Sequence, residues 1–341
     1  MLRSRPYLHP GLNRAAGGRP FLLAVLLLPP LVLSGCSIKG MAINSVANAL
    51  SGSGDDGGSN VYLTDDDPIL VGQALPFSLK LMETILQETP EHEDLLVATA
   101  TGFVSYAEMW VLRPSRYLED TDYYAARAER MRAKKLFLRA RDYAGRTLDL
   151  RYPGITERLK QSPDEAVLEF GEDDLPAVYW FMAALGRAIS TDLGDAELLV
   201  QGRAVRELLE KALELDEAWN KGTLHEFVMA LPVQLGGSPE RAEEAYARAM
   251  ELNEGKSVGP EVSLAESVYL VRQDRENFER ILRQVLAFDP DQYPEYRLTN
   301  ILAQQHAEWL LSKADELFWT TPANPLRIPT NKMRYPWPTH S

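Results

Sequence analysis

The residue types that support catalysis and metal binding occur in this chain, but they are not spaced for either. No two histidines stand at a metal-ligand spacing, and no His-Glu-x-x-His is present. The chain also lacks a phosphate-binding glycine loop, a Gly-x-Ser-x-Gly and a second cysteine. The sequence therefore predicts neither an enzyme nor a bound cofactor. A triad assembled only in the fold remains the enzyme alternative. The five histidines are His9, His92, His225, His306 and His340.

One acidic run invites a metal interpretation. Asp65-Asp66-Asp67 is followed directly by Pro68. An aspartate before a proline is also typical of a helix start, with the aspartate as N-cap and the proline in the first turn. The helix dipole favours acidic residues there as well. We therefore expect Asp67 to cap a helix rather than ligate a metal.

The lone cysteine has a clearer chemistry. Residues 1–35 carry four arginines, no acidic residue and an apolar run at 21–33. That run is shorter than the roughly 20 residues that span a membrane, and it predicts a secretory signal. It ends in Leu33-Ser34-Gly35-Cys36, which resembles the lipobox of bacterial lipoproteins and implies lipid on Cys36. Ser37 at the next position resembles an outer-membrane address. The alternative is an ordinary cleaved signal with a stray cysteine.

The charge of the chain excludes some partners. The full sequence has 36 basic and 49 acidic residues, and removing the four arginines before Cys36 leaves a mature charge of −17. An excess of this size argues against nucleic acid and against docking on anionic lipid through a basic patch.

Residues 204–288 contain three copies of one amphipathic pattern. Each copy places apolar residues at i, i+3, i+4, i+7 and i+8, which is one stripe of a helix. The copies are 37 and 36 residues apart, a spacing typical of tetratricopeptide-like helical hairpins. The three stripes are Val205, Leu208, Leu209, Ala212 and Leu213; Ala242, Ala245, Tyr246, Ala249 and Met250; and Phe278, Ile281, Leu282, Val285 and Leu286.

Two earlier copies extend the repeat towards the N-terminus. They begin at Ser78 and Ala140, with wider spacings of 62 and 65 residues, so these repeats carry insertions or longer helices. Their stripes are Ser78, Leu81, Met82, Ile85 and Leu86, and Ala140, Tyr143, Ala144, Thr147 and Leu148. The alternative is five amphipathic helices with no common repeat. We predict an all-α, tetratricopeptide-like solenoid of helical hairpins.

The remaining segments complete the domain map. We expect a signal at 1–35, a lipidated N-terminus and flexible linker at 36–66, a repeat domain at 67–319 and a proline-rich tail at 320–341. Residues 51–60 are rich in Gly and Ser, as flexible linkers are. Pro76 predicts a kink or break in the helix at 68–88. Further helices are predicted at 91–112, 120–150, 173–191, 217–233, 260–272 and 296–318.

Several segments together resemble the TRAP-transporter T-component family. The resemblance covers the mature chain from about Cys36 to Phe318, including the lipobox and the acidic run before Pro68. The matching segments are 173–189 with Tyr179-Trp180 and Ala184-Leu185-Gly186; 213–228 with Gly222-Thr223-Leu224-His225-Glu226-Phe227; 251–256, followed by Ser263-Leu264-Ala265-Glu266; and 297–304, running on to Leu317-Phe318.

The resemblance implies a periplasmic, lipid-anchored accessory protein of a tripartite transporter. In such systems a soluble P component captures a small organic solute and delivers it to a membrane permease. The T component is expected to bind the P component, to form a homo-oligomer such as a trimer, and to offer a cavity or pore to the solute. A generic scaffold lipoprotein without a ligand is the alternative, and the sequence does not name the solute.

A repeat stack usually binds through its concave face and leaves its ends uncovered. We expect polar residues of otherwise apolar helices to line that face, with Tyr179 and Trp180 as an apolar wall. For His225 a place in a helix interface is the alternative, and for Trp180 a place in the core. Trp110, Trp219 and Trp319 are candidate partner contacts if they are exposed. The polar candidates are His225, Glu226, Lys256, Glu266, Asn300 and Gln304.

Overall fold

The computed structural model describes residues 61–319 together with Ile43 and Ala47. The predicted signal, the lipobox at Cys36, the linker at 51–60 and the tail from residue 320 lie outside the described residues. Within 61–319 every regular element is helical and no strand occurs, which confirms the all-α helical-repeat prediction.

Fifteen α-helices follow one another along this part of the chain. Their bounds are α1 Pro68–Glu88, α2 Glu93–Ala107, α3 Arg113–Leu118, α4 Tyr123–Arg151, α5 Ile155–Gln161, α6 Pro163–Ala166, α7 Leu175–Thr191, α8 Ala196–Leu199, α9 Gly202–Asp216, α10 Trp219–Met229, α11 Pro239–Leu252, α12 Gly259–Leu264, α13 Arg275–Ala287, α14 Arg297–Ser312 and α15 Ala314–Leu317. Two π-helical turns are inserted at Glu108–Leu112 and Ala265–Tyr269. Short 3₁₀ turns lie at Val167–Glu169, Glu172–Asp174, Val233–Leu235, Pro290–Gln292 and Pro294–Tyr296.

The start of α1 is built as the acidic run predicts. The Asp67 carboxylate accepts hydrogen bonds from the backbone N–H groups of Ile69 and Leu70 at 2.9 and 3.0 Å. Pro68 occupies the first turn, where its missing N–H costs nothing. Asp67 is therefore an N-cap. Of the predicted kink or break at Pro76, the break does not occur, because α1 runs as one helix to Glu88 and buries Leu75 and Leu79 on either side of the proline. The kink stays a prediction.

The apolar stripes of α9, α11 and α13 are buried as predicted, except that the last position of each stripe and Tyr246 of α11 are at least partly exposed. The register predicted for α1 is only partly right. Leu86 is buried, and Met82 and Ile85 are partly buried against it, but Leu81 is 37% exposed. The other buried positions are Val71, Leu75 and Leu79, which the predicted stripe does not include. The physical reason is that α1 has two packing partners. Leu79 lies against Gly102 of α2, while Val71 and Leu75 share a cluster with residues of α14.

The repeats pack as helical hairpins in sequence order. The long helix α4 lies between α2 and α7, and α9 continues from α7. The pairs α10–α11 and α13–α14 follow. One contiguous apolar core runs through these pairs, from Leu79 to Phe318.

The last long helix returns to the first. Leu298 N–H donates to the Leu63 carbonyl at 3.0 Å, and Arg297 Nη1 donates to the Thr64 carbonyl at 2.9 Å. Leu298 and Leu302 of α14 are buried with Val71 and Leu75 of α1, and Trp110 packs on this cluster. The array is therefore closed, and the expectation of uncovered ends is wrong for α1 and α14.

Two stretches, Pro68–Glu88 and Glu93–Leu118, are long and apolar enough to cross a bilayer by length and composition alone. In the fold both are packing elements. The first contacts α2 and α14, and the second contacts α4 and α7 and carries Glu108, Arg113 and Arg116 in its C-terminal half. Half of the apolar window of the second stretch is buried in the array, but only a third of that of the first, whose Ile69, Leu70 and Phe77 are exposed.

Candidate functional site

Charged residues from distant parts of the chain meet at one place in the array. They are up to 198 positions apart in sequence, so they can converge only where the helices of a closed array face one another. We call this set the arginine cluster. It consists of Glu108, Arg113, Arg116, Arg187, Glu266 and His306. Glu108 and Glu266 each lie in one of the two π-helical turns, which often occur at functional sites.

Two ion pairs organise the arginine cluster. Arg116 Nη2 donates to Glu266 Oε1 at 2.8 Å, and Arg187 Nε donates to Glu108 Oε2 at 2.7 Å. Each pair joins helices from different repeats, α3 with the second π turn and α7 with the first. The side chains keep 22–40% of their surface exposed, so solvent reaches them.

His306 connects Glu266 to the aromatic part of the site. Its Nε2 lies 3.2 Å from Glu266 Oε2, and its Nδ1 lies 3.1 Å from the Tyr117 hydroxyl. Burial lowers the pKa of His306 despite the nearby Glu266 carboxylate. A neutral ring fits both contacts, because Nε2–H then donates to Glu266 while Nδ1 accepts from Tyr117. The ring also stacks on Trp309 at 5.6 Å between centroids.

The arginine cluster carries a net positive charge. Burial opposes ionisation of both glutamates, but the surrounding arginines, with His306 at Glu266, outweigh it and hold their pKa values below the ordinary value. Two carboxylates thus face three guanidinium groups. Arg113 makes no carboxylate ion pair within residues 61–319; its Nη1 donates to the Leu302 carbonyl at 3.3 Å. A surplus cation inside an acidic protein attracts an anion.

Of this cluster, the sequence pattern predicts only Glu266 as a ligand residue, and not Glu108, His306 or the three arginines. One signal was available, since Arg187 is the single charged residue of the strongly apolar helix α7. No sequence signal indicates that α3 lies next to α14, because that contact follows from closure of the array and not from any local pattern.

Tyr179 lies near the part of α10 that carries Glu226. Its ring packs edge-on against Phe227, the residue after Glu226, at 6.3 Å between centroids. Burial raises the pKa of Tyr179, and the Glu226 carboxylate raises it further. Glu226 is also near Glu261 of α12, and we call these two glutamates the carboxyl pair. Burial raises the pKa of each to about 7, and Glu261 adds to the shift of Glu226.

His225 points to another face of α10. Its Nε2 lies 3.4 Å from Glu217 Oε2, in contact with the Glu217–Arg248 ion pair rather than with Glu226. Burial lowers the pKa of His225 despite Glu217. Trp180 packs edge-on against Tyr179 at 4.9 Å and is half buried against the core. His225 and Glu226, although adjacent in the sequence, thus have different surroundings, whereas Tyr179 and Trp180 pack on each other.

Three other predicted ligand residues make contacts with or within loops instead. They are Asn300, Gln304 and Lys256. Asn300 is completely buried; its Oδ1 accepts from Val258 N–H and its Nδ2 donates to the Lys256 carbonyl, both at 3.0 Å. Gln304 Nε2 donates to the carbonyls of Val285 and Phe288 at 3.0 and 2.7 Å. Lys256 Nζ pairs with Glu254 at 2.5 Å. The structure does not bring these three side chains into the arginine cluster.

Two surface pockets, of about 210 and 270 Å³, lie outside both groups of residues. Lys80 and Tyr143 line the first, and Arg275 and Leu311 line the second, so neither includes a predicted ligand residue. Within the described part of the chain, no three His, Cys, Asp or Glu side chains are grouped to hold a metal ion.

Comparison with known proteins gives the family. A protein of Treponema pallidum (strain Nichols), described only as uncharacterized, is 28% identical over 306 residues, which cover 84% of this chain and 94% of that protein. The family model described as TRAP transporter T-component matches residues 64–318, from the turn before α1 to Phe318. That family comprises accessory transport components and is not a family of enzymes. Because the match covers the whole closed array, it confirms the resemblance seen in the sequence: the chain belongs to the TRAP transporter T-component family.

Proposed function

We propose that this protein is a lipid-anchored, periplasmic accessory component of a TRAP-type transporter that binds the solute-binding P component and receives a small organic anion in its interior. Membership of the T-component family supports the accessory role and a location in the cell envelope. The observation that carries the solute class is the net positive, partly exposed arginine cluster.

The arginine cluster has the properties of an anion site. Guanidinium groups present planar forks of donors that match a carboxylate. Arg116 also lies over the Trp309 ring, with its Cζ 5.2 Å from the ring centroid, which holds the guanidinium in place. Glu266 and Glu108 orient two of the arginines, and Arg113 supplies the surplus charge. Of the predicted ligand residues, we retain Glu266, Glu226, Tyr179 and Trp180 as lining residues and assign Asn300 and Gln304 to loop positioning.

Replacing Arg113 by glutamine is expected to weaken binding of a dicarboxylate about tenfold, since the surplus positive charge is removed while both ion pairs remain. Isothermal titration calorimetry with succinate on the purified mature chain measures this. Arg283→Gln is the matched control, because Arg283 is 64% exposed and pairs with Glu279 away from the cluster. Equal succinate affinities for wild type, Arg113→Gln and Arg283→Gln would contradict the anion site.

Replacing Cys36 by serine is expected to release the protein from membranes, because the lipid attached to that sulfur would be the anchor. Membrane fractionation and palmitate labelling measure the two consequences, with Ser37→Ala as a control that leaves the thiol in place. A Cys36→Ser protein that stays in the membrane fraction at the wild-type level would refute the anchor.

The soluble Cys36→Ser chain is expected to form a homo-oligomer, such as a trimer, and to bind a P component with roughly micromolar affinity, since delivery requires release. Trp319 is 88% exposed and is available as a contact. Trp219 is half buried against Tyr179, and Trp110 is used internally, with its Nε1 donating to the Pro68 carbonyl at 2.9 Å. Analytical ultracentrifugation of the two proteins, alone and mixed with succinate present, tests this. Monomers without a complex would support the scaffold alternative instead.

A further inference from the structure

The chain that follows the predicted lipid site packs against the array at Ala47. This alanine is completely buried, in a cluster with Leu86 near the end of α1 and with Leu95 and Leu96 near the start of α2. Cys36 stands only 11 positions before Ala47 in the sequence, and a fully extended chain of that length spans at most about 40 Å. The corner between α1 and α2 is therefore tied to Cys36 by a short stretch of chain.

A surface pocket opens beside this corner. It is the first of the two pockets described above, with a volume of about 210 Å³. Leu86 and Tyr143 belong both to the pocket wall and to the surroundings of Ala47, so the pocket adjoins the place where the chain from Cys36 reaches the array. The lining residues are Lys80, Glu83, Leu86, Gln87, Tyr143 and Arg146.

Positively charged side chains outnumber negatively charged ones at this pocket. Glu83 is the single carboxylate among the lining residues, and Lys80 pairs with it. Arg139 of α4 also reaches this carboxylate, with its Nη1 3.6 Å from Glu83 Oε1. Arg146 has no carboxylate partner in the described part of the chain; its Nη2 donates to the Pro90 carbonyl at 2.8 Å. Three cations thus share one carboxylate.

Aromatic rings hold two of these cations in place. The Cζ of Arg146 lies 5.6 Å from the centre of the Tyr143 ring. The Cζ of Arg139 lies 5.4 Å from the centre of the Phe103 ring. The two rings stack on each other, 6.0 Å apart between centroids and 4° from parallel, and the Tyr143 hydroxyl donates to Glu83 Oε1 at 2.9 Å. The guanidinium groups are thus ordered without a ligand, which reduces the entropy that an anion loses on binding.

Exposed apolar side chains lie beside Lys80 on α1. Phe77, one turn before Lys80, is 73% exposed, and Leu81, the next residue, is 37% exposed. A cationic pocket with exposed apolar neighbours matches the boundary between phospholipid headgroups and acyl chains. An anion free in solution gains nothing from such neighbours.

We propose that this pocket binds the phosphate group of an anionic phospholipid in the bilayer that holds the lipid anchor. Arginine and lysine supply the donors and the charge that a phosphate requires. The mature charge of −17 opposes adhesion of the whole surface, so the inference concerns one headgroup in one locally cationic pocket.

The contact is weak by itself and becomes effective when the anchor keeps the pocket near the bilayer. The inference therefore rests on the proposed function, which supplies the anchor, and it is consistent with release of the Cys36→Ser protein from membranes. It adds an orientation to the proposed function, because it turns the corner between α1 and α2 towards the lipid.

Titration of the mature Cys36→Ser chain with dihexanoyl-phosphatidylglycerol, below its micelle concentration, tests the pocket through broadening of the lipid phosphorus signal in NMR spectra. We expect a Kd of about 1 mM. The double variant Arg139→Gln, Arg146→Gln should raise it about tenfold, because two of three cations are removed. Lys80→Gln should raise it about threefold without touching the aromatic stack. Since all three side chains are exposed, the variants should melt close to the wild-type temperature.

Arg283→Gln is the matched control. Arg283 lines the second pocket, where it shares the Glu279 carboxylate with Arg275, so that pocket also holds arginines around one glutamate. Arg275 there has a second acid, Asp315, so the second pocket lacks the surplus of cations. The control should bind the short-chain lipid as wild type does.

Two further measurements distinguish a phospholipid from a soluble anion. Inorganic phosphate and glycerophosphoglycerol, the headgroup without acyl chains, should each bind at least about threefold more weakly than the short-chain lipid. The thiol of Cys36, the single cysteine of the chain, is then coupled to a maleimide lipid in vesicles, which supplies an anchor whether or not the cell adds one. Hydrogen exchange at the corner between α1 and α2 should be slower on vesicles that contain phosphatidylglycerol than on pure phosphatidylcholine.

Four results would overturn the inference: no broadening at up to about 10 mM lipid, equal weakening by Arg283→Gln, equal or tighter binding of the soluble anions, or identical exchange on the two kinds of vesicle. Membrane fractionation of the Cys36→Ser protein decides separately whether the natural anchor exists. Because the maleimide-coupled chain does not depend on that result, failure of the pocket and failure of the proposed function are distinguishable.

Discussion

Replacing Glu266 by glutamine is expected to lower the free energy of unfolding by about 1–3 kcal/mol, less than for a fully buried ion pair, because the Arg116 and Glu266 side chains keep 40% and 27% of their surface exposed. The carboxylate holds both Arg116 and His306, with contacts of 2.8 and 3.2 Å. Glutamine keeps the shape but leaves the guanidinium without a counter-charge in a cluster that already carries a surplus cation. Since Arg116 and His306 belong to α3 and α14, the variant also weakens the closure of the array.

Thermal unfolding of wild type and Glu266→Gln between pH 4 and pH 8 measures this loss. Arg116 and His306 hold the pKa of Glu266 below the ordinary value although burial opposes them. The stabilisation is therefore present above the ordinary pKa of about 4.5 and is lost only as pH falls through the depressed folded-state pKa. Glu243→Gln is the matched control, because Glu243 is 52% exposed and pairs with Arg272 on the surface. If both variants melt together at pH 7, the cluster does not stabilise the array.

The double variant Glu226→Gln, Glu261→Gln is expected to be more stable than wild type at pH 8 by at least about 3 kcal/mol, which is what the shift of one of the two carboxyl groups contributes, and nearly equal to it at pH 4. Burial raises the pKa of both carboxyl groups to about 7. For groups shifted in this direction, the stabilisation is fully present below the ordinary pKa and is lost as pH rises through about 7. Glutamine is neutral at every pH, so it does not undergo this loss.

Melting temperatures across this pH range check the prediction. A gain of about 3 kcal/mol corresponds to roughly 6 °C or more for a domain of this size. The difference between variant and wild type should grow between pH 5 and pH 8 and should be absent from Glu214→Gln, a control whose side chain is 71% exposed. A difference that stays constant with pH would mean that the two acids are not the groups that titrate.

Local sequence patterns predicted the local features of the fold. The stripes of α9, α11 and α13 and the Asp67 cap depend on neighbouring residues, so the sequence contains what is needed to infer them. The burial register of α1 depends on α14, which lies more than 200 positions away, and a one-helix pattern carries no information about such a partner. For the same reason Glu266 was identified as a polar residue in an apolar helix, while its partner Arg116 was not.

The two predicted amides illustrate a different limit. Asn300 is polar in an apolar helix, as a ligand-binding residue would be, yet its amide bonds two backbone groups of the loop before α12. A polar residue that binds a solute and one that binds a backbone have the same sequence pattern. Only the position of the loop decides between them.

The return of α14 to α1 changes how the molecule should evolve and unfold. An open solenoid can gain or lose a repeat at little cost, and it can fray from either end, because each unit contacts only its neighbours. Here Leu298 bonds to Leu63 across more than 230 positions. Deleting one hairpin would separate these groups, so the number of repeats is fixed by the circumference. Unfolding should occur as one cooperative transition, and the nascent chain cannot complete the packing of its first helix until its last long helix has been synthesised.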